Sequence, residues 1–134
     1  MTLFTSDIKK IYFYTLITYI CATILTFVFH LVYSQFSHGV SSDAMTYAFI
    51  YPLSGVVVYG ILYFVNYYER VSYNTFNAAV ATVTMGSLLL GVNEIAGADS
   101  IYYNFFYLGA CILFGITILY PVVKIIIKKL KRSE

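Results

Sequence analysis

The sequence predicts an all-α integral membrane protein, an up-down bundle of four transmembrane helices with both termini on the cytoplasmic side. Three observations carry this. Four long uncharged stretches cover residues 11–42, 44–68, 71–93 and 100–123. A spanning helix needs about 20 apolar residues, because about 1.5 Å of rise per residue must cover about 30 Å of hydrocarbon. Second, 60% of the 134 residues are apolar and only 10% are charged, against roughly 25% charged in a typical soluble domain. A water-soluble chain of that composition would expose large apolar patches. Third, threading the chain with both ends inside places Lys9, Lys10, Arg70, Lys124, Lys128, Lys129, Lys131 and Arg132 on one side. The two outer connections then hold only Asp43, Glu94 and Asp99. Lys and Arg in short loops set orientation in this way.

The elements follow in order within a single transmembrane domain. The first span covers 11–33, and polar residues 34–42 with Gly39 form an outer loop. The second covers 46–68. Its Pro52 either kinks the helix or marks the true start, leaving the preceding residues at the interface. An inner turn at 69–72 leads to the third span, 73–93. A tight outer turn around Gly97 leads to the fourth span, 100–121, which Asp99 or Ser100 is placed to cap. Short connections make successive helices antiparallel neighbours. A cleavable signal peptide is the competing reading of the front, but the run after Lys10 exceeds the roughly 7–15 apolar residues of such a segment.

The third span is the least apolar, with Asn74, Asn77, Thr82, Thr84 and Ser87 along it. That composition predicts the central helix. Small residues spaced by about four, such as Ala78, Thr82 and Gly86, let backbones approach and hydroxyls bond across the gap. Gly55 and Gly60 in the second span, and Gly109, Ala110 and Gly115 in the fourth, offer matching surfaces. The same five polar residues also define a possible intramembrane path if copies assemble into a transporter.

Tyr occurs 15 times and Trp never. Tyr12, Tyr14, Tyr67, Tyr68, Tyr73 and Tyr120 are expected at the inner interface, where amphipathic rings suit the headgroup layer. Tyr19, Tyr51, Tyr59, Tyr63 and Tyr107 lie deeper, so each hydroxyl needs a backbone carbonyl or a polar group of the third span. Cys21 and Cys111 are isolated and read as packing residues, adjacent only if the first and fourth helices touch.

The tail, 122–134, carries Lys124, Lys128, Lys129, Lys131 and Arg132 among Ile and Leu. It reads as a topology anchor that attracts anionic lipids at the cytoplasmic face. No basic stripe with interleaved aromatics lies outside the spans, so nucleic acid is not expected. On the outer face, His30, His38, Asp43, Glu94 and Asp99 come from three segments without ligand spacing, so no metal or cofactor is expected.

No ionisable residue lies deep in a span. The chain resembles the small multidrug transporters in length and span count, but it lacks the first-span carboxylate on which they rely. The H-E-x-x-H, G-x-S-x-G and P-loop patterns are absent, and Ser87 has no His or Asp at its depth. The sequence therefore points away from an enzyme. It favours an accessory, regulatory or immunity-type protein with a membrane partner, with an oligomeric transporter or channel as the alternative. The preference for Lys, Ile and Tyr suggests a bacterium with an AT-rich genome, so the expected location is a bacterial plasma membrane.

Overall fold

The computed structural model describes residues 2–37, 39–65, 67–98 and 100–131, with backbone only for 2–6. Among them are four long helices and one single-turn helix: α1 (Thr2–Phe36), α2 (Asp43–Thr46), α3 (Ile50–Val65), α4 (Arg70–Ala96) and α5 (Tyr102–Leu130). Four segments are long and apolar enough to cross a membrane: Asp7–Phe36, Asp43–Val65, Arg70–Ala96 and Tyr102–Leu130.

The helix ends differ from the sequence boundaries for local reasons. No Gly or Pro interrupts the chain before Gly39, so α1 overruns the expected 11–33 at both ends. The second span is not one helix over 46–68. Ser42 accepts from the Met45 N–H and starts α2, which lasts one turn. A turn at 47–49 follows, and α3 begins just before Pro52. Pro52 thus marks a start, where its missing N–H costs least. The inner turn lies earlier than 69–72, between Val65, where α3 ends, and Arg70, where α4 begins. The Glu69 carboxylate accepts from the N–H groups of Val71 and Ser72 at 2.9 and 3.1 Å, so α4 begins at Arg70. At its other end Gly97 adopts φ +64°, with Ala98 N–H bonded to the Asn93 carbonyl and Gly97 N–H to that of Glu94. This left-handed stop suits glycine. Asp99 lies outside the described residues; Ser100 Oγ accepts from Tyr102 N–H at 3.3 Å near the start of α5.

Pro121 does not end α5. A proline cannot donate to the carbonyl four residues back, here Thr117. The Ser72 hydroxyl of α4 donates to that carbonyl at 3.2 Å instead. The Thr117 hydroxyl in turn sits 2.8 Å from Thr75 Oγ1. An apolar surrounding tolerates an interrupted helix when a neighbour satisfies the freed group.

The helices pack as an open row, α1–α3–α4–α5, rather than a closed square. Among the described residues no Cα of α1 lies within 8 Å of a Cα of α5 or of α4. Helix α4 is the most buried of the four spans, and it adjoins α2, α3 and α5. Three glycines allow close approach. A Cβ on Gly55 would overlap the Tyr19 ring; on Gly86 it would lie 2.8 Å from Phe106 Cβ, and on Gly91 2.5 Å from Met45 Cβ. Gly109 makes only ordinary contact with Thr82, while Gly60 and Gly115 face open space. Those last two do not form the matching surfaces their spacing suggested. Cys21 and Cys111 are both exposed, on helices that do not touch.

Candidate functional site

A seam of tyrosines bridges part of the gap between α1 and α4. Residues Tyr12, Thr15, Tyr19 and Thr26 recur every three, four or seven positions, so they form one buried stripe of α1. Tyr12 is 1% exposed, not an interfacial belt residue: it shares the stripe of Tyr19, and its hydroxyl donates to the Tyr67 carbonyl. Tyr59 of α3, also 1% exposed, lies between Tyr12 and Tyr19, with ring centroids 5.7 and 5.4 Å away. Phe76 and Tyr73 close on it edge-on at 5.6 and 5.5 Å.

Asn77 is the polar centre of this seam. Its Oδ1 accepts from the hydroxyls of both Tyr19 and Tyr59, each at 2.8 Å. One turn away, Thr15 Oγ1 and Tyr73 OH are 2.6 Å apart. Thr15 gives its own hydrogen to the Ile11 carbonyl, so Tyr73 is the donor. Both α1–α4 bonds join residues 58 apart in sequence. Two parallel helices in fixed register produce that repeat, so Arg70 stands level with Tyr12 and Thr84 with Thr26.

Because the tyrosines hold α1 and α4 apart, a cleft of about 870 Å³ runs between them. Its walls run from Ile11 and Tyr73 to Phe29 and Leu88, with Pro52 of α3 also on the lining. A second cavity, about 160 Å³, lies at the far end among His30, Ser34, Ser37, Ser41, Ser42 and Ile95. There the Ser42 hydroxyl donates to the Glu94 carboxylate, tying the loop to the end of α4. Asp43 is exposed, and His38 lies outside the described residues.

The five polar residues of the third span divide between surfaces. Asn77 and Thr84 line the cleft. Thr82 and Ser87 face α5: Thr82 meets Gly109, and Ser87, 1% exposed, bonds Tyr107 OH at 3.0 Å. Asn74 is exposed. The hydroxyls of Thr82 and Thr84 donate to carbonyls of their own helix, each at 2.7 Å. The deep Tyr19, Tyr59 and Tyr107 thus find partners on α4.

At the basic end, Lys124 Nζ lies 2.9 Å from Glu69 Oε1 and 5.9 Å from the Tyr120 ring centroid. The Lys124 hydrogen bond is the main influence holding the Glu69 carboxyl below its ordinary value, helped by the Ser72 and Val71 amides. Lys128 and Lys129 continue on exposed turns of α5, and Lys131 follows its last residue. Arg132 lies outside the described residues. The Glu69–Lys124 pair was not foreseen from sequence. The constant sum of residue numbers expected across an antiparallel hairpin is the signal that would have found it.

Compared with family models, with curated proteins and with solved structures, the chain matches none.

Proposed function

We propose that the protein is a multi-pass, non-enzymatic protein of a bacterial plasma membrane, with both termini cytoplasmic. In this reading it is an accessory, regulatory or immunity-type subunit that engages a membrane partner. The observation that carries this is the internal use of the polar groups on α4. Asn77 Oδ1 takes two tyrosine hydrogens, Ser87 pairs with Tyr107, and Thr82 and Thr84 return to their own helix. Polar side chains spent this way build a specific helix arrangement and leave few groups to hydrate a passing ion. Helix α5 supports the reading from outside. Among the described helices it packs on α4 alone, and it leaves its remaining apolar surface and Lys128, Lys129 and Lys131 available to a partner and to anionic lipids.

Affinity purification of the tagged full chain in several mild detergents tests this. One partner recovered at fixed stoichiometry supports it; repeated recovery of the chain alone contradicts it. A second reading, an oligomeric transporter or channel, draws on the α1–α4 cleft, where Asn77 and Thr84 meet an open volume. Solute flux through liposomes containing the purified chain would favour it over the first.

A further inference from the structure

We propose that the α1–α4 cleft binds one anionic glycerophospholipid, with an acyl chain along the cleft and its phosphate between Lys10 and Arg70. The proposal rests on the membrane reading above and goes beyond it, since the basic tail plays no part.

Shape comes first. From Ile11 to Phe29 the cleft follows α1 for about 27 Å at 1.5 Å per residue. Spread over that length, about 870 Å³ leaves a mean cross-section of roughly 30 Å². The cleft is long and narrow, a shape that suits a linear chain. Its basic half, from Ile11 to Ala22, is about 16 Å long, close to one leaflet of a hydrocarbon layer about 30 Å thick.

The chemistry of the walls agrees. Thr15, Thr18, Thr26 and Thr84 line the cleft, yet each gives its hydroxyl hydrogen to a carbonyl of its own helix. Tyr19 and Tyr73 give theirs across the seam, to Asn77 and Thr15. With these six hydroxyls satisfied, most of the wall suits a hydrocarbon occupant that offers no acceptor; the Tyr14 hydroxyl and the Asn77 amide N–H groups are the other side-chain donors on the lining.

Charge marks one mouth. Lys10 is four residues before Tyr14, and Arg70 is three before Tyr73 and seven before Asn77. Arg70 therefore continues the α4 stripe, while Lys10 stands at the edge of the α1 stripe, whose continuation a turn farther out is Asp7 and Ile8. The parallel register sets Arg70 level with Tyr12, only about 3 Å of rise from Lys10. Both are exposed, and among the described residues neither has a carboxylate partner; Asp7 lies a turn farther out on α1. Two unpaired cations at the end of an apolar groove complement a lipid phosphate.

The chain has no Trp, so a single introduced Trp reports without background. Tyr14 lines the cleft, and its neighbour Phe13 sits at the same depth outside it; both are exposed. Tyr14→Trp and Phe13→Trp are each reconstituted in phosphatidylcholine vesicles doped with phosphatidylglycerol brominated on its acyl chains. Quenching at position 14 should reach half its maximum at a phosphatidylglycerol fraction at least about fivefold lower than at position 13. Adding Lys10→Gln or Arg70→Gln should raise that fraction about fivefold each, following the pull of one basic residue on anionic lipid. Coincident curves at the two positions would overturn the proposal while leaving the membrane reading intact. Absence of quenching at position 14 alone would overturn it in favour of a protein segment or second copy covering the cleft. Failure of every variant to enter vesicles would sink both readings.

Discussion

Tyr19 on α1 donates its hydroxyl hydrogen to Asn77 Oδ1 on α4 at 2.8 Å, although no Cα atoms of the two helices come within 8 Å. Side chains, not backbone contact, join the first and third spans. In lipid, apolar burial between helices contributes little, because acyl chains solvate Leu as well as a protein core does. Close packing and interhelical hydrogen bonds must carry the association, and Asn77 concentrates two of those bonds.

Asn77→Leu leaves the Tyr19 hydroxyl without its acceptor and the Tyr59 hydroxyl with only the Tyr73 carbonyl at 3.4 Å. It should destabilise the fold by about 1–3 kcal/mol, read from thermal unfolding in detergent. Tyr19→Phe and Tyr59→Phe introduced into Asn77→Leu should recover most of that loss, since apolar groups then replace both sides of each bond. Purely additive losses would show that these bonds are not the origin of the effect.

Glycines that look alike in sequence should respond differently. Gly55→Ala forces a methyl into the Tyr19 ring and should cost about 1–3 kcal/mol through overpacking. Gly60→Ala meets open space and should be neutral or stabilising by about 0.5–1 kcal/mol, the usual helix gain of Ala over Gly. Thermal midpoints of the two variants check this directly.

Ser72 and Pro121 should be coupled. Ser72→Ala orphans the Thr117 carbonyl and should cost about 1 kcal/mol. In a Pro121→Ala background the restored N–H can bond that carbonyl along the helix. Ser72→Ala should then cost almost nothing. A double-mutant cycle with zero coupling energy would contradict the arrangement.

How much of this was legible before the fold was known follows the same division. Span number and helix order rest on residue type and spacing along one chain, so they could be read. So could the need of the deep tyrosines for a backbone carbonyl or a third-span polar group; for Tyr19, Tyr59 and Tyr107 the structure supplies the latter. That Asn77 serves two of them depends on rotational setting between helices, which composition does not encode. The same limit explains Gly60 and Gly115, whose spacing matches that of packing glycines although they face outward. It also explains Tyr12, placed at the interface by depth but turned inward by the stripe it shares with Tyr19. The polar residues of the third span looked like one path because they lie on one helix; their angles around it send Thr82 and Ser87 to α5 and Asn77 and Thr84 to the cleft.

Glu69 gives the structure an acid-sensitive clasp between the α4 N-terminus and Lys124. Its carboxyl is held below the ordinary value of 4.5, chiefly by the Lys124 hydrogen bond. Between that value and the lower folded one, the unfolded chain binds more protons, so stability falls as pH drops through the window. The contribution is fully present above pH 4.5 and disappears below the folded value. Glu69→Gln should flatten stability against pH in the acid range and leave the slope near neutrality unchanged. Equal acid slopes in the two proteins would exclude the clasp as a source of the pH dependence.

In the proposed topology the chain is serpentine and its two ends share the cytoplasmic compartment. Single cysteines at Thr2, Ser41 and Ser133, each in a background lacking Cys21 and Cys111, test it with a membrane-impermeant maleimide on intact cells. The account predicts labelling at Ser41 alone, with Thr2 and Ser133 reacting only after permeabilisation. Labelling of one terminus but not the other in intact cells would contradict it.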